Sequence, residues 1–344
     1  MNHIESRVEA DLTDTSAAIS SFSLDSDVGR TTASGTVSSF APLKYDLNVG
    51  SSISLEEVSR LFKPDLRIAG ETIVQGSVNG TGSDYHVAAN ITSGNVSAEG
   101  FQVRGVKINT KVNGHEDRYA GTATVSTGEA TASGVDVNKT DLSAAISGHG
   151  SGFTVTGPLA LQSLKSGNVT VSGIRGRIEV DRERVALSDL AASLLGGSIS
   201  GSATLAYRNA QSNLSLGFKS IDLAQVAELV EAKDVAVAGF IEGSASLSFA
   251  GFNYRSAHGR VDAGFQASLS RPDQGSGTAS ATGQLSVAAD GSGFDVEKAY
   301  VESSSSTVTA AGKIDWDGNG ALAVDFDSKD MTEVQRALDA IGLI

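Results

Sequence analysis

The sequence predicts a mainly β fold: a long, curled antiparallel sheet forming an open groove, built of repeated modules with three short amphipathic helices at the module junctions. Three observations predict it. Glycine fills 39 of 344 positions and proline only 4, aromatics are 6%, and much of the 40% apolar content is alanine and valine. Small and β-branched residues broken by glycine favour many strands and tight turns over a thin core. Apolar residues recur at every second position through most of the chain, the mark of strands with one dry and one wet face. Finally, a helix-like stretch of the form [Leu/Met]-x-x-Val appears three times, anchored at Leu55, Leu223 and Met331.

In chain order, Val8, Ala10 and Leu12 alternate loosely, and Thr31–Val37 leads through Gly35 to Leu43, Tyr45, Leu47 and Val49 at a period of two. The first helix follows, with Ser54 as N-cap and Glu57 completing a capping box. Leu55, Val58 and Leu61 share one face, Glu56, Glu57 and Arg60 the other, and Pro64 ends it. From Leu66 to Leu216 strands alternate with turn signals at Asn79-Gly80, Asn113-Gly114, Gly148–Gly150 and Ser166–Asn168. At roughly 12 residues per strand and turn, the chain holds about 27 strands in an antiparallel meander.

The block 178–218 reads as strand, turn at 181–184, strand, turn at Gly196-Gly197, strand through Gly201, turn at 208–212 and strand, followed by the helical stretch Ser220–Glu231 capped at Asp222. The same order returns over 294–326, through Gly312, before a third helix capped at Asp330 and containing Met331. The N-terminal block, through Gly35 to Leu55, is another copy. Asp65–Gly70 and Asp234–Gly239 restart the pattern alike. These junctions divide the chain into modules 1–63, 64–232 and 233–344, quasi-one-dimensional units that grow by addition.

Composition narrows the function classes. A net charge of −14 without a clustered basic stripe excludes nucleic acid as a partner and opposes charge-driven holding on anionic lipid. The lack of cysteine removes thiol catalysis, zinc–thiolate centres and disulfides together. No apolar run is long enough to span a membrane as a helix. The acidic start MNHIESRVEADL lacks the apolar core of a signal peptide. The expectation is a segment excised from a longer protein.

No enzyme is read in the sequence, and no cofactor or metal. His3, His86, His115, His149 and His258 are scattered without ligand spacing. Asp315–Gly320 (DWDGNG) opens like a calcium loop, but position 12 is Phe326 where a bidentate Glu is needed, so it reads as a hairpin turn. Gly148–Gly152 and Gly196–Gly201 lead into no helix that could present its N-terminus to a phosphate. The six N-x-[ST] sequons, at Asn79, Asn90, Asn95, Asn138, Asn168 and Asn213, are what so Ser/Thr-rich a chain produces by chance.

What remains is surface. Alternating strands such as 245–249 and 261–269 would form a continuous apolar stripe. It is either a sandwich core covered by its own second face or the incompletely covered lining of a groove. The lining candidates are Leu205, Leu214, Leu216, Phe218, Leu247, Phe249, Val261, Phe265, Leu269, Leu285, Val287, Leu322, Val324 and Phe326.

The block Val185–Ala192 (VALSDLAA), Leu195–Gly201 (LGGSISG), Leu214–Phe218 and Ile221–Val226 (IDLAQV) resembles the AsmA/TamB superfamily of bacterial envelope proteins, with its strand, "lxGGxvxGxG" strand, strand and "dldlaxl" junction. In the other copies Gly196-Gly197 is replaced by Ser305-Ser306 and Val28-Gly29. The resemblance implies a curled "β-taco" sheet with an apolar interior, anchored in the inner membrane through an upstream segment and extending through the periplasm. It further implies transfer of phospholipid, held by its acyl chains, between inner and outer membranes, and for one branch an outer-membrane barrel partner in outer-membrane protein assembly. The family's anchor and barrel-binding end have no counterpart in this sequence. The competing expectations are a structural or adhesive surface protein of β-solenoid type, with a closed core and no lipid, and an outer-membrane barrel. The first lacks a regular short coil period; the second lacks aromatic girdles.

Overall fold

The computed structural model of the chain describes residues 4–62, 67–207, 210–229, 237–269 and 279–330. They form twenty strands and two short helices. The fold is therefore mainly β, as the alternation predicts. The chain divides into two compact units, residues 1–167 with 177–182, and residues 168–176 with 183–344. The junctions read at 63/64 and 232/233 and the helix read after Asp330 lie outside the described residues.

The first unit is an antiparallel meander: β1 (Ile4–Leu12), β2 (Ala17–Ser26), β3 (Gly29–Phe40), β4 (Leu43–Ser54), β5 (Ala69–Thr81), β6 (Asp84–Ala98), β7 (Phe101–His115), β8 (Arg118–Ala132), β9 (Val135–His149) and β10 (Gly152–Ser166). Each strand pairs with the next. Strands β6 to β10 are each 15 residues long. With two-residue turns between them, the meander holds fewer and longer strands than a 12-residue spacing predicts. The difference has a local cause. Asn79-Gly80 and Asn113-Gly114 lie inside β5 and β7, not at turns; the chain reverses two to three residues later, where Gly82, Glu116 and Gly150 take positive φ of 61°, 54° and 56°. Gly80, Gly114 and Gly148 instead make room for rings: a Cβ there would overlap Tyr45, Tyr85 and Tyr119 respectively.

Helix α1 (Leu55–Phe62) follows β4 without a break. Ser54 Oγ accepts the Glu57 N–H at 3.4 Å, which is the predicted cap, and Arg60 reaches Glu57 (2.9 Å) and Glu56 (3.2 Å) on the outer side. Ser59 is buried against the sheet; its hydroxyl donates to Glu56 O at 2.9 Å and accepts the Ile68 N–H at 3.4 Å.

After β11 (Val169–Val180), the second unit continues as a second antiparallel meander of β12 (Arg184–Leu194), β13 (Gly197–Ala206), β14 (Gln211–Asp222), β15 (Val237–Ala250), β16 (Asn253–Leu269), β17 (Ala279–Asp290), β18 (Gly293–Ser303), β19 (Ser306–Asp315) and β20 (Gly320–Ser328). Helix α2 (Leu223–Leu229) starts at the residue after the predicted cap, three residues into the stretch read from sequence. Ser220–Asp222 belong to β14: Ser220 takes φ of 54°, and Ile221, 5% exposed, pairs with Ile241. Asp222 caps the helix, its Oδ1 accepting the Ala224 N–H at 2.8 Å. The half-buried Leu223, Val226 and Leu229 pack on β14 and β15.

The core is as thin as the composition predicts. Among the described residues, the buried apolar ones are alanines at 17, 123, 144, 192, 206, 257 and 289, with Ile174, Ile221 and Val296. Ser212 is the largest fully buried side chain among the described residues. Stability therefore rests on long backbone ladders and on side chains that cover one another along a face.

Gly35, Gly201 and Gly312 share one geometry. Each has φ between 142° and 152°, lies beside a strand with a bulge, and pairs on its other side with Leu47, Leu216 or Leu322. A Cβ at any of them would overlap the carbonyl of the next strand. Gly70 and Gly239, which restart the pattern after each helix, match at 139° and 137°. The strand architecture is repeat-like at these positions.

Candidate functional site

In an antiparallel ladder directly paired residues point to the same side, so register sorts side chains between faces. In the second unit it does so cleanly. Leu214 pairs with Leu247, and Leu216 with Ala245, Val261, Val287, Val296, Gly312 and Leu322 in succession. A parallel row runs Leu285–Ala299–Ala310–Val324, and a third Val301–Val308–Phe326. Leu205 lies two residues along β13 from Ala203, the partner of Leu214; Phe249 opposes Ser212, and Phe265 opposes Ile241. Thirteen of the fourteen residues read as groove lining thus share one face. Leu269 is placed by its backbone, opposite Val237 and Ala279.

The opposite face is polar. Its rows read Ser244–Asp262–Ser286–Lys298 and Glu242–Gly264–Gln284–Tyr300. Arg260 pairs with Glu297, and Lys313 lies 3.3 Å from Asp290 and 3.6 Å from Asp295. The Ser292 hydroxyl and N–H, then Lys313, hold the Asp290 carboxyl far below the usual carboxylate range; the two aspartates raise Lys313 in turn.

Along β13 to β17 the apolar residues are half-buried, covered by neighbours on the same face. On β20 they are open: Leu322 is 44%, Val324 60% and Phe326 51% exposed. The face has low relief. A Cβ at Gly243 or Gly283 would meet the ring of Phe218 or Phe265, so these rings lie over the neighbouring strand instead of standing above the sheet. This is the ring-over-glycine device of the first unit. Its signal in the sequence is a 34-residue interval, Gly80–Gly114–Gly148 with Tyr85–Tyr119–Phe153, which spans two strands and so does not show in local alternation.

Of the residues weighed for metal chemistry, Asp315, His86, His115 and His149 have other partners, and His3 lies outside the described residues. Asp315 Oδ1 accepts the N–H groups of Asp317 (2.9 Å) and Asn319 (2.8 Å), which lowers its pKa and makes the DWDGNG segment a hairpin turn. His115 Nδ1 lies 2.7 Å from Asp84, His149 Nε2 3.1 Å from Asp117, and His86 Nδ1 2.7 Å from Asn113, all exposed near turns. No group of three or more potential ligands is gathered among the described residues. No helix among them is long and apolar enough to cross a membrane.

No family model, curated protein or solved structure matches the chain. The site itself must therefore carry the functional argument.

Proposed function

We propose that this chain is a segment of a periplasmic bridge that shields phospholipid acyl chains on its apolar sheet face and conducts them between the inner and outer membranes. The observation that carries the reading is the unbroken apolar face of β13–β20, thirteen lining residues in register and none of them deeply buried. Exposing an acyl chain to water costs about 0.8 kcal/mol per CH₂, on the order of 12 kcal/mol for a 16-carbon chain. A face of Leu, Val, Phe and Ala offsets most of that. Its low relief leaves no deep well to trap a chain, which suits movement across the strands. The shared geometry at Gly35, Gly201 and Gly312 supports a repeated module, and the resemblance to AsmA/TamB proteins supports the envelope setting.

The test is site-specific photo-crosslinking. A photoreactive side chain at Leu247, Phe249 or Leu285, in purified protein mixed with phosphatidylethanolamine–phosphatidylglycerol vesicles, captures phospholipid; the same group at Ser246 or Ser286, on the polar face, does not. Equal capture at both sets, or none at either, overturns the proposal. A closed, dry core of the adhesive type would give no capture at all.

A further inference from the structure

The middle of the apolar face in the second unit is half-open, and one end of it carries side-chain contacts between segments distant in the chain, with Tyr254 itself 64% exposed on the outside. Tyr254, at the start of β16, and Trp316, just past the end of β19, meet edge to face with ring centroids 6.0 Å apart at 83°. Beside them Arg255 Nη2 lies 3.3 Å from Asp317 Oδ1. Strands β17 and β18 and their turn lie between these two segments, so neither contact is part of a ladder between neighbouring strands. Both reach over the β17–β18 turn. Trp316 is fixed to that turn as well: its indole N–H donates to Gly291 O at 3.4 Å, and its ring stands 4.6 Å from Phe294 at 61°.

The small residues nearest this turn are among the most buried of the unit. Ala257 is 3% exposed, Ala289 7% and Val296 8%. Ala257 O accepts the Gly291 N–H at 2.9 Å, which puts it directly against the turn. A second tie adjoins. The buried Ser212 hydroxyl donates to Gly251 O at 2.6 Å and accepts the Ala206 N–H at 2.9 Å, holding the β15–β16 turn to the end of β13. Aromatic edge contacts and a charge pair between segments distant in sequence oppose separation of the strands they join.

We infer that Tyr254, Arg255, Trp316 and Asp317 form a clasp over the β17–β18 turn that covers this end of the apolar face, leaving the rest of the face accessible. The inference holds whatever apolar ligand the face takes, and it stands apart from the lipid reading.

The chain has one tryptophan, so Trp316 fluorescence reads the clasp directly. In Tyr254→Ala/Asp317→Ala, acrylamide quenching of Trp316 rises at least twofold and its emission moves to longer wavelength. Amide exchange at Ala257, Ala289 and Val296 quickens while exchange in the middle of β16 holds, and binding of anilinonaphthalene sulfonate increases. Tyr254→Phe, which keeps the ring contact, behaves as the parent. Unchanged quenching and exchange in the double variant overturn the clasp. So does increased quenching without faster exchange, which would make Trp316 a surface ring with nothing covered beneath it. If circular dichroism shows that the double variant has lost its strands, Arg255→Gln carries the same readouts with the rings intact, and no change there overturns the inference.

Discussion

Gly114 illustrates how single residues set this fold. A Cβ at Gly114 would sit inside the Tyr85 ring. Gly114→Ala is therefore expected to destabilise by about 1–3 kcal/mol through overpacking, seen as a lower midpoint in urea unfolding. Gly94→Ala, where nothing stands within 4 Å, should stay within about 0.5 kcal/mol. Asp290 gives a pH prediction. Its carboxyl is held below the ordinary value chiefly by Ser292. A depressed carboxylate contributes stability above its unfolded pKa and loses it as pH falls through the folded one. Ser292→Ala should raise the Asp290 midpoint in a carboxyl NMR titration and bring that loss to a higher pH; an unmoved midpoint would assign the shift to the backbone N–H of residue 292 and to Lys313 instead. The first prediction is not legible from sequence, because Gly114 follows Asn113 and reads as a turn; in the second, Ser292 is local to Asp290, but Lys313 meets it only across the folded sheet.

At the scale of elements, the strands were legible and their lengths were not. Alternation marks a strand but does not say where it ends, and an Asn-Gly inside a strand imitates a turn. The 34-residue hairpin corrects this and makes a prediction. Deleting residues 101–134 removes β7 and β8 and brings β9 beside β6, where Gly148 would meet Tyr85 as Gly114 does now. The shortened protein should fold with an unchanged strand signature by circular dichroism and a single cooperative transition. Deleting 17 residues would turn the next strand end for end and should not. Both described helices were read from their caps and apolar spacing, since Ser54 and Asp222 act locally. Asp222 read as the cap also sets the start of α2 at Leu223, while Ser220, inside β14, takes a left-handed φ that alternation does not show. Leu223→Asp with Val226→Asp puts two carboxylates between α2 and the sheet. It is expected to destabilise the second unit by roughly 2–4 kcal/mol, with faster amide exchange in β14 and β15. Unchanged exchange would mean that the helix only decorates the junction.

At the scale of the molecule, the second unit has two chemically different faces and the chain a net charge of −14. On the proposed lipid reading, burial of acyl chains and not attraction to anionic headgroups would hold the ligand. Lipid capture at Phe249 is expected to change by less than about twofold between low and high salt, since Debye screening acts on charge and not on burial of CH₂ groups. A steep fall with salt would point to headgroup binding on the polar face. By itself, the sequence determined that the protein is mainly β and thin-cored, and which apolar residues within one regular strand point to the same side. These follow from a strict period of two, which ties each side chain to one side of the sheet whatever the partners are. Only the tertiary structure decided where the strands end, which glycines lie under rings instead of in turns, and that Tyr254 and Trp316, 62 positions apart, meet over an intervening turn. Those depend on contacts between strands distant in the chain, and local pattern carries no record of such a neighbour.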